Sequence, residues 1–251
     1  MEINALHKAN NVLYLTTVQS QFSNMYIAVR EKEQRLFTDE EISNLPYTSI
    51  QNVHAKEWKL RQKSTTRFTY YLETKQQPQI ILDIGCGNGW FSKEMALVSK
   101  KNHIIGLDVN TEELEQASRI FKYSNLQFVY GNIFEIDSFS KQFDIITLNG
   151  SVQYFPDFKE LFQTLQSFLK PKGEIHIIDS PFYASHKIIE AGNRTLDYYT
   201  TLGFPEMAAN YHHHEIKYVS NFDVLYKYQR SIINKLLGKK DSPFSWFRYT
   251  K

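Results

Sequence analysis

The chain has 251 residues, and its 29 Lys and Arg against 27 Asp and Glu give a formal net charge of +2 at pH 7. That length supports one sizeable core with a small appended cap, and so balanced a charge offers no global grip on nucleic acid. One cysteine rules out an internal disulfide, no apolar run approaches the ~18 residues of a membrane span, and no basic segment followed by an apolar core opens the chain. A cytoplasmic protein without membrane partners is the expectation, and internal repeats and low-complexity segments are absent from the sequence.

Residues 1–53 are the least legible stretch. A short apolar run lies at 10–17, Thr38-Asp39-Glu40-Glu41-Ile42 reads as a helix start with acids in its first turn, and Pro46 interrupts it. We expect a helical extension, serving as a lid or a partner surface, ahead of a domain covering 54–251. An amphipathic helix is predicted over 53–73, with Trp58, Leu60, Phe68, Tyr71 and Leu72 as its apolar members. Its cations Lys59, Arg61, Lys63 and Arg67 read most simply as a solvated face.

The apolar run Ile80-Ile81-Leu82-Asp83-Ile84 has the composition of a parallel strand covered on both faces. Gly85-Cys86-Gly87-Asn88-Gly89 follows, and then a helical pattern. A strand feeding a glycine turn and a helix lets backbone N–H groups approach a ligand closely. The dinucleotide fingerprint places its third glycine three residues after the second. Position 90 is Trp, and the glycines fall instead at 85, 87 and 89, the spacing that cradles S-adenosylmethionine (SAM). Another nucleotide, or a purely structural turn, are the alternatives. Cys86 fits the loop as a small packed side chain.

Asn102–Asp108 reads as a second buried strand closed by an acid 19 residues beyond Gly89, close to the ~20-residue interval at which such an acid takes ribose hydroxyls. A helix N-cap before Thr111-Glu112-Glu113-Leu114 is the plainer alternative. Further strands are predicted at 127–133, 143–151 and 173–179, with a helix at 158–169 between the last two. This alternation argues for a doubly wound, parallel α/β sheet.

Residues from about 80 to 180 resemble the class I SAM-dependent methyltransferases, in the broad subgroup that includes many small-molecule enzymes. The resemblance rests on LDIGCGNG, GLDVN, YGNIFEI, FDIITLNGSVQYFPD and LKPKGEIHIID, about two fifths of the chain. It implies a Rossmann-like, seven-stranded, mostly parallel sheet. Asp83 and the backbone of Gly85 and Gly87, with Cys86 between them, would face the methionyl portion of SAM. Asp108 would take the ribose hydroxyls, with Val109 against the adenine. Asn132 and Ile133 would sit at the adenine edge, where many relatives carry Asp in place of Asn132. Asn149 and Gly150 would lie near the sulfonium methyl. The helix before the first strand commonly covers the pocket in such proteins, so Arg61, or Arg67, could pair with the SAM carboxylate.

Beyond the fifth strand, Ser180-Pro181-Phe182-Tyr183 leaves the sheet, and a helix at 185–201 is stopped by Gly203-Phe204-Pro205. In Tyr211-His212-His213-His214-Glu215, an extended backbone would point His212 and His214 to one side and His213 to the other. No Cys or spaced His pair completes a zinc set, which leaves a general base, a substrate contact or a polar loop. Strands at 221–228 and 244–250, joined by a helix at 230–237, would complete the sheet, its last strand antiparallel. The expected activity is methyl transfer to a small molecule, with oxygen the favoured acceptor. His212 and His214 are the candidate bases, and Gln153 and Tyr154 face the methyl or else cap and pack. The motif Asn/Asp-Pro-Pro-Tyr/Phe for planar amino nitrogens is absent, its place held by Asn149-Gly150-Ser151-Val152. An RNA or protein methyltransferase, or a SAM-binding module without catalysis, are the rival readings. The sequence leaves the oligomeric state open, a homodimer included.

Overall fold

A computed structural model describes Ile3, residues 5–228 and residues 240–251. It opens with a hairpin, β1 (His7–Ala9) and β2 (Val12–Tyr14), then helices α1 (Ser20–Lys32), α2 (Asp39–Asn44) and α3 (Ala55–Glu73). The alternating half follows as β3 (Ile80–Ile84), α4 (Trp90–Val98), β4 (His103–Asp108), α5 (Thr111–Ile120), β5 (Leu126–Tyr130), β6 (Phe143–Asn149), α6 (Phe158–Phe168) and β7 (Leu169–Ile178). Two short strands, β8 (Phe182–Tyr183) and β9 (His214–Glu215), flank α7 (Ile188–Leu202), and β10 (Asp223–Tyr226) and β11 (Trp246–Thr250) close the chain. The helix expected at 230–237 lies outside the described residues.

The main sheet has nine strands in the order β1-β2-β5-β4-β3-β6-β7-β11-β10. Seven of them are the expected set, and β11 runs antiparallel to β7 as anticipated. The count of seven is corrected by the N-terminal hairpin, whose β2 pairs in parallel with β5 from Val12↔Phe128 to Tyr14↔Tyr130. The extension is therefore not wholly helical. Val12 and Tyr14 are buried in the core while Leu13 points to the other face. Three-residue strands carry too little periodicity to be read alone, and these exist because β5 offers an edge.

The alternation in β3 explains the layering. Ile81 packs with Phe68 and Leu72 of α3 and with Phe91 and Met95 of α4, whereas Leu82 and Ile84 pack with Leu161 and Leu165 of α6. Each of these side chains is 2% exposed or less. Burial of this kind stabilises by about 1.5–3 kcal/mol per large apolar side chain. α2 begins at a capping box, in which the Thr38 hydroxyl accepts from the Glu41 N–H and the Glu41 carboxylate accepts from the Thr38 N–H. Strand order reverses about β3, between β4 on one side and β6 on the other. Ligands of open α/β sheets bind in the crevice at such a point.

Candidate functional site

The chain leaves β3 through three glycines with positive φ, Gly85 (67°), Gly87 (51°) and Gly89 (76°). A Cβ on Gly85 would sit 2.5 Å from the Cβ of Ser151, and one on Gly89 would sit 2.5 Å from Cζ of Phe128. Both the left-handed backbone and the packing therefore exclude side chains there. The N–H groups of Gly85 and Cys86 donate to the Leu107 carbonyl at 2.9 and 3.1 Å. The Gly87 N–H donates to Oδ2 of Asp108 at 2.8 Å, and those of Val109 and Asn110 donate to Oδ1 at 2.7 and 2.9 Å. Burial pushes the Asp108 carboxyl up from its ordinary range, against the pull of these three donors.

Above this loop, at the carboxyl ends of β3 to β6, lies a cavity of about 540 Å³. Gly85, Cys86, Gly87, Asp108, Val109, Asn132, Ile133, Asn149, Gly150 and Arg61 all contribute to its wall, as do Tyr154 and His212. Among the described residues, nine buried side-chain polar atoms lack a hydrogen-bond partner, and seven belong to this wall. They are both amide atoms of Asn149, Oδ1 of Asn88, Nδ2 of Asn110, Oε1 of Gln153, Nε of Arg30 and Nε1 of Trp58. Each such orphan costs about 1–3 kcal/mol unless something meets it. Their concentration fits a polar ligand with several hydrogen-bonding groups, as SAM has.

Three expected residues fall elsewhere. Asp83 is 1% exposed and lies beneath the loop, where its oxygens accept from Ser92 Oγ at 2.6 Å and Thr147 Oγ1 at 2.8 Å. Burial pushes its carboxyl up to about 7. Each oxygen holds a scaffold hydroxyl, and the residue does not contribute to the cavity wall. His214 is also buried; its Nε2 donates to the Val152 carbonyl at 3.1 Å, and its ring packs on Phe158 and Phe182. His212 and His214 therefore do not converge, because regular strand geometry begins only at His214, where β9 pairs with β8. Arg67 pairs with Asp241 and lies over the Tyr226 ring, away from the cavity.

Arg61 bonds Glu57 through Nε at 2.9 Å, and its Nη1 lies 3.4 Å from where a Cβ on Gly150 would sit. Although burial pushes the Glu57 carboxyl up, Arg35 and Arg61 hold it down to about 2. Asn132 spends its amide on its own turn, accepting from the Phe134 N–H at 3.2 Å and donating to Glu135 at 2.6 Å. Burial pushes the Cys86 thiol well above its ordinary value, consistent with packing rather than reactivity. The His212 imidazole is pushed down by burial, and the His212 backbone N–H donates to the Gln153 carbonyl at 2.7 Å. No group of three or more His, Cys, Asp and Glu side chains among the described residues is arranged to hold a metal ion.

Sequence reasoning missed Tyr26 and Arg30 of α1 and Glu113 of α5, all in the wall. Burial pushes the Glu113 carboxyl up to about 7 against the opposing charge of Arg30. The i, i+4 apolar pair Met25 and Val29 was the available signal for α1. A second compartment of about 310 Å³ adjoins the first and shares Tyr26, Arg30, Arg35, Arg61 and Tyr154 with it. No helix among the described residues is long and apolar enough to cross a membrane.

Comparison with known proteins agrees with this geometry. The malonyl-[acyl-carrier protein] O-methyltransferase of Halalkalibacterium halodurans is 32% identical over 105 residues, which are 40% of this chain and 39% of that protein. The demethylmenaquinone methyltransferase of Oceanobacillus iheyensis is 23% identical over 192 residues, 75% of this chain and 68% of that protein. The chain thus spans about two fifths of the length of the first relative and about two thirds of the second. The solved structure of the CurJ carbon methyltransferase shares the fold with a TM-score of 0.59 at 13% identity, over 90% of this chain and 66% of that one. A family model described as a methyltransferase domain matches residues 76–229, more than half of the sequence, and the chain belongs to that family.

Proposed function

We propose that the protein is a SAM-dependent methyltransferase acting on a small-molecule acceptor, with oxygen the favoured acceptor atom. The observation that carries this reading is the concentration of unpartnered polar atoms around the glycine-loop cavity. Asp108 uses both acceptor positions of Oδ1 and one of Oδ2 on backbone N–H groups, which leaves one position on Oδ2 for a ribose hydroxyl. The unpartnered Asn110 amide nitrogen would meet the neighbouring hydroxyl. Val109 and Ile133 would flank the adenine, with Phe134 as a further ring wall, and Asn132 Oδ1 keeps one lone pair for the base edge. Arg61 would pair with the methionyl carboxylate beside Gly150, and the orphan amide of Asn149 would orient the nearby amine and sulfonium end.

SAM, when bound, supplies a methyl already activated on a sulfonium. The protein's remaining task is to align the acceptor and exclude water, and positioning of this kind lowers barriers by up to ~7–11 kcal/mol. Burial keeps the His212 imidazole neutral near pH 7, so it can accept a proton from a hydroxyl acceptor. Tyr154 stands at the junction of the two compartments and would orient the acceptor. Residues 1–53 act in this reading as a lid on a domain covering 54–251, since α1 brings Tyr26 and Arg30 over the cavity. A cytoplasmic location belongs to the same reading. Calorimetric titration with SAM and S-adenosylhomocysteine, followed by an acceptor screen that measures S-adenosylhomocysteine release, tests it. Failure to bind either, with retention of a nicotinamide or flavin instead, would overturn it.

A further inference from the structure

The second compartment has a wall chemistry that selects its occupant. It carries four guanidiniums, Arg30, Arg35, Arg61 and Arg194, against two carboxylates, Glu33 and Glu57. Both carboxylates are already engaged. Glu57 takes Arg35 at 2.5 Å and Arg61 at 2.9 Å, and Glu33 lies 3.5 Å from Arg30, 3.4 Å from Arg35, and accepts from the Tyr198 hydroxyl at 2.6 Å. Arg30 keeps a buried Nε with no partner, and Arg194 pairs with Glu190, outside the wall, at 2.5 Å. Among the wall's own groups guanidiniums thus outnumber carboxylates four to two, with Glu190 beside Arg194 and Glu113 facing Arg30 from the neighbouring cavity.

The remaining wall is rich in phenols, among them Tyr183, Tyr199 and Tyr211. Burial pushes all three above the ordinary phenol value, so they stay protonated donors at neutral pH. Donors and guanidiniums together suit an oxyanion, which accepts at every position. A cationic acceptor would meet like charge. A purely apolar one would leave the buried Nε of Arg30 unpaired, against only Val29, Ala191 and Met207 as aliphatic wall. The volume of about 310 Å³ corresponds to roughly ten waters at ~30 Å³ each, room for a single ring or a short chain.

We infer that this compartment binds the acceptor by a carboxylate or phosphate group, anchored by Arg30 and Arg194, and presents the acceptor's other end to the cofactor cavity past Tyr154. The inference rests on the methyl-transfer reading of the neighbouring cavity. Its test uses the protein saturated with S-adenosylhomocysteine and titrated calorimetrically with benzoate and phenyl phosphate, with benzamide and benzyl alcohol as neutral counterparts. Benzoate or phenyl phosphate should bind about tenfold or more tightly than the neutral compounds. Preference for one anion over the other would tell carboxylate from phosphate. Arg194→Gln, at a largely exposed side chain, should weaken anion binding by about fivefold or more with S-adenosylhomocysteine affinity unchanged, and Arg194→Lys should restore part of the loss. Arg30→Gln should weaken anion binding further. Equal binding of benzamide and benzoate, no binding of either anion, or wild-type anion affinity in both glutamine variants would overturn the inference. Anion binding without any affinity for S-adenosylhomocysteine would leave it standing and sink the methyl-transfer reading instead.

Discussion

Asp108 Oδ2 accepts the backbone N–H of Gly87 at 2.8 Å, so the acid at the tip of β4 also clamps the glycine loop at the end of β3. In the proposed reading the ribose acceptor and the support of the loop's shape are one carboxylate. Asp108→Ala should therefore weaken SAM binding by about tenfold or more, through the lost acceptor and through a loop whose N–H groups are left unpaired. Calorimetry would check this, and an unchanged affinity would refute the assignment.

The loop tolerates no Cβ at Gly85, where one would meet the Cβ of Ser151 at 2.5 Å with φ at 67°. Gly85→Ala should lower unfolding free energy by about 2–4 kcal/mol, combining left-handed strain with overpacking. The measurement is a shift in urea midpoint at constant m-value, and a shift under about 0.5 kcal/mol would contradict the geometry.

The buried Asp83 carboxyl, pushed up to about 7, gives the fold a pH dependence of defined sign. Between its unfolded value of about 3.9 and about 7, the native state holds a proton that the unfolded state has released, so stability falls as pH rises through that window. Glu113, also pushed up to about 7, contributes in the same direction. Glu57, and Glu174 of β7, which His176 and Lys75 hold down against burial, both lie at about 2 and act oppositely, their stabilisation being lost as pH falls from about 4.5 through 2. Asp83→Asn, which keeps the shape beside Ser92 and Thr147, should flatten the profile between about pH 4 and 7 by a difference on the order of 2–4 kcal/mol. Parallel wild-type and variant curves in denaturant titrations would contradict this.

The two histidines should separate. His212→Gln should lower turnover by roughly 10²-fold or more with SAM affinity within about twofold, as expected for loss of a general base. His214→Ala should instead cost about 2–4 kcal/mol of stability, since it empties a buried ring site packed against Phe158 and Phe182 and removes one of the two donors to the Val152 carbonyl, the Phe155 N–H being the other. Full activity of the His212 variant with a hydroxyl acceptor would retire the base assignment.

The parts of the site that were legible lie within a few residues of strand ends. Gly85 to Gly89 and Asp108 announce themselves because a doubly covered strand must be apolar and a tight turn must be glycine. The placement of Asp83 was not legible, because a carboxylate closing a strand looks the same whether it faces a ligand or two hydroxyls beneath. His212 and His214 were separated by a parallel pairing of β9 with β8 that no local pattern encodes.

The sequence by itself determined the alternating α/β order, the left-handed loop and the acid that answers it, since each depends on residues adjacent in the chain. Only the tertiary structure decided that β1 and β2 extend the sheet and that α1 carries Tyr26 and Arg30 over the cavity. It likewise decided that Arg194, from α7, joins Arg30 and Arg35 around a second compartment. Those placements come from packing between segments far apart in the chain, Arg30 and Arg194 being separated by 164 residues. Burial and charge act there across space, and spacing along the chain carries no trace of them.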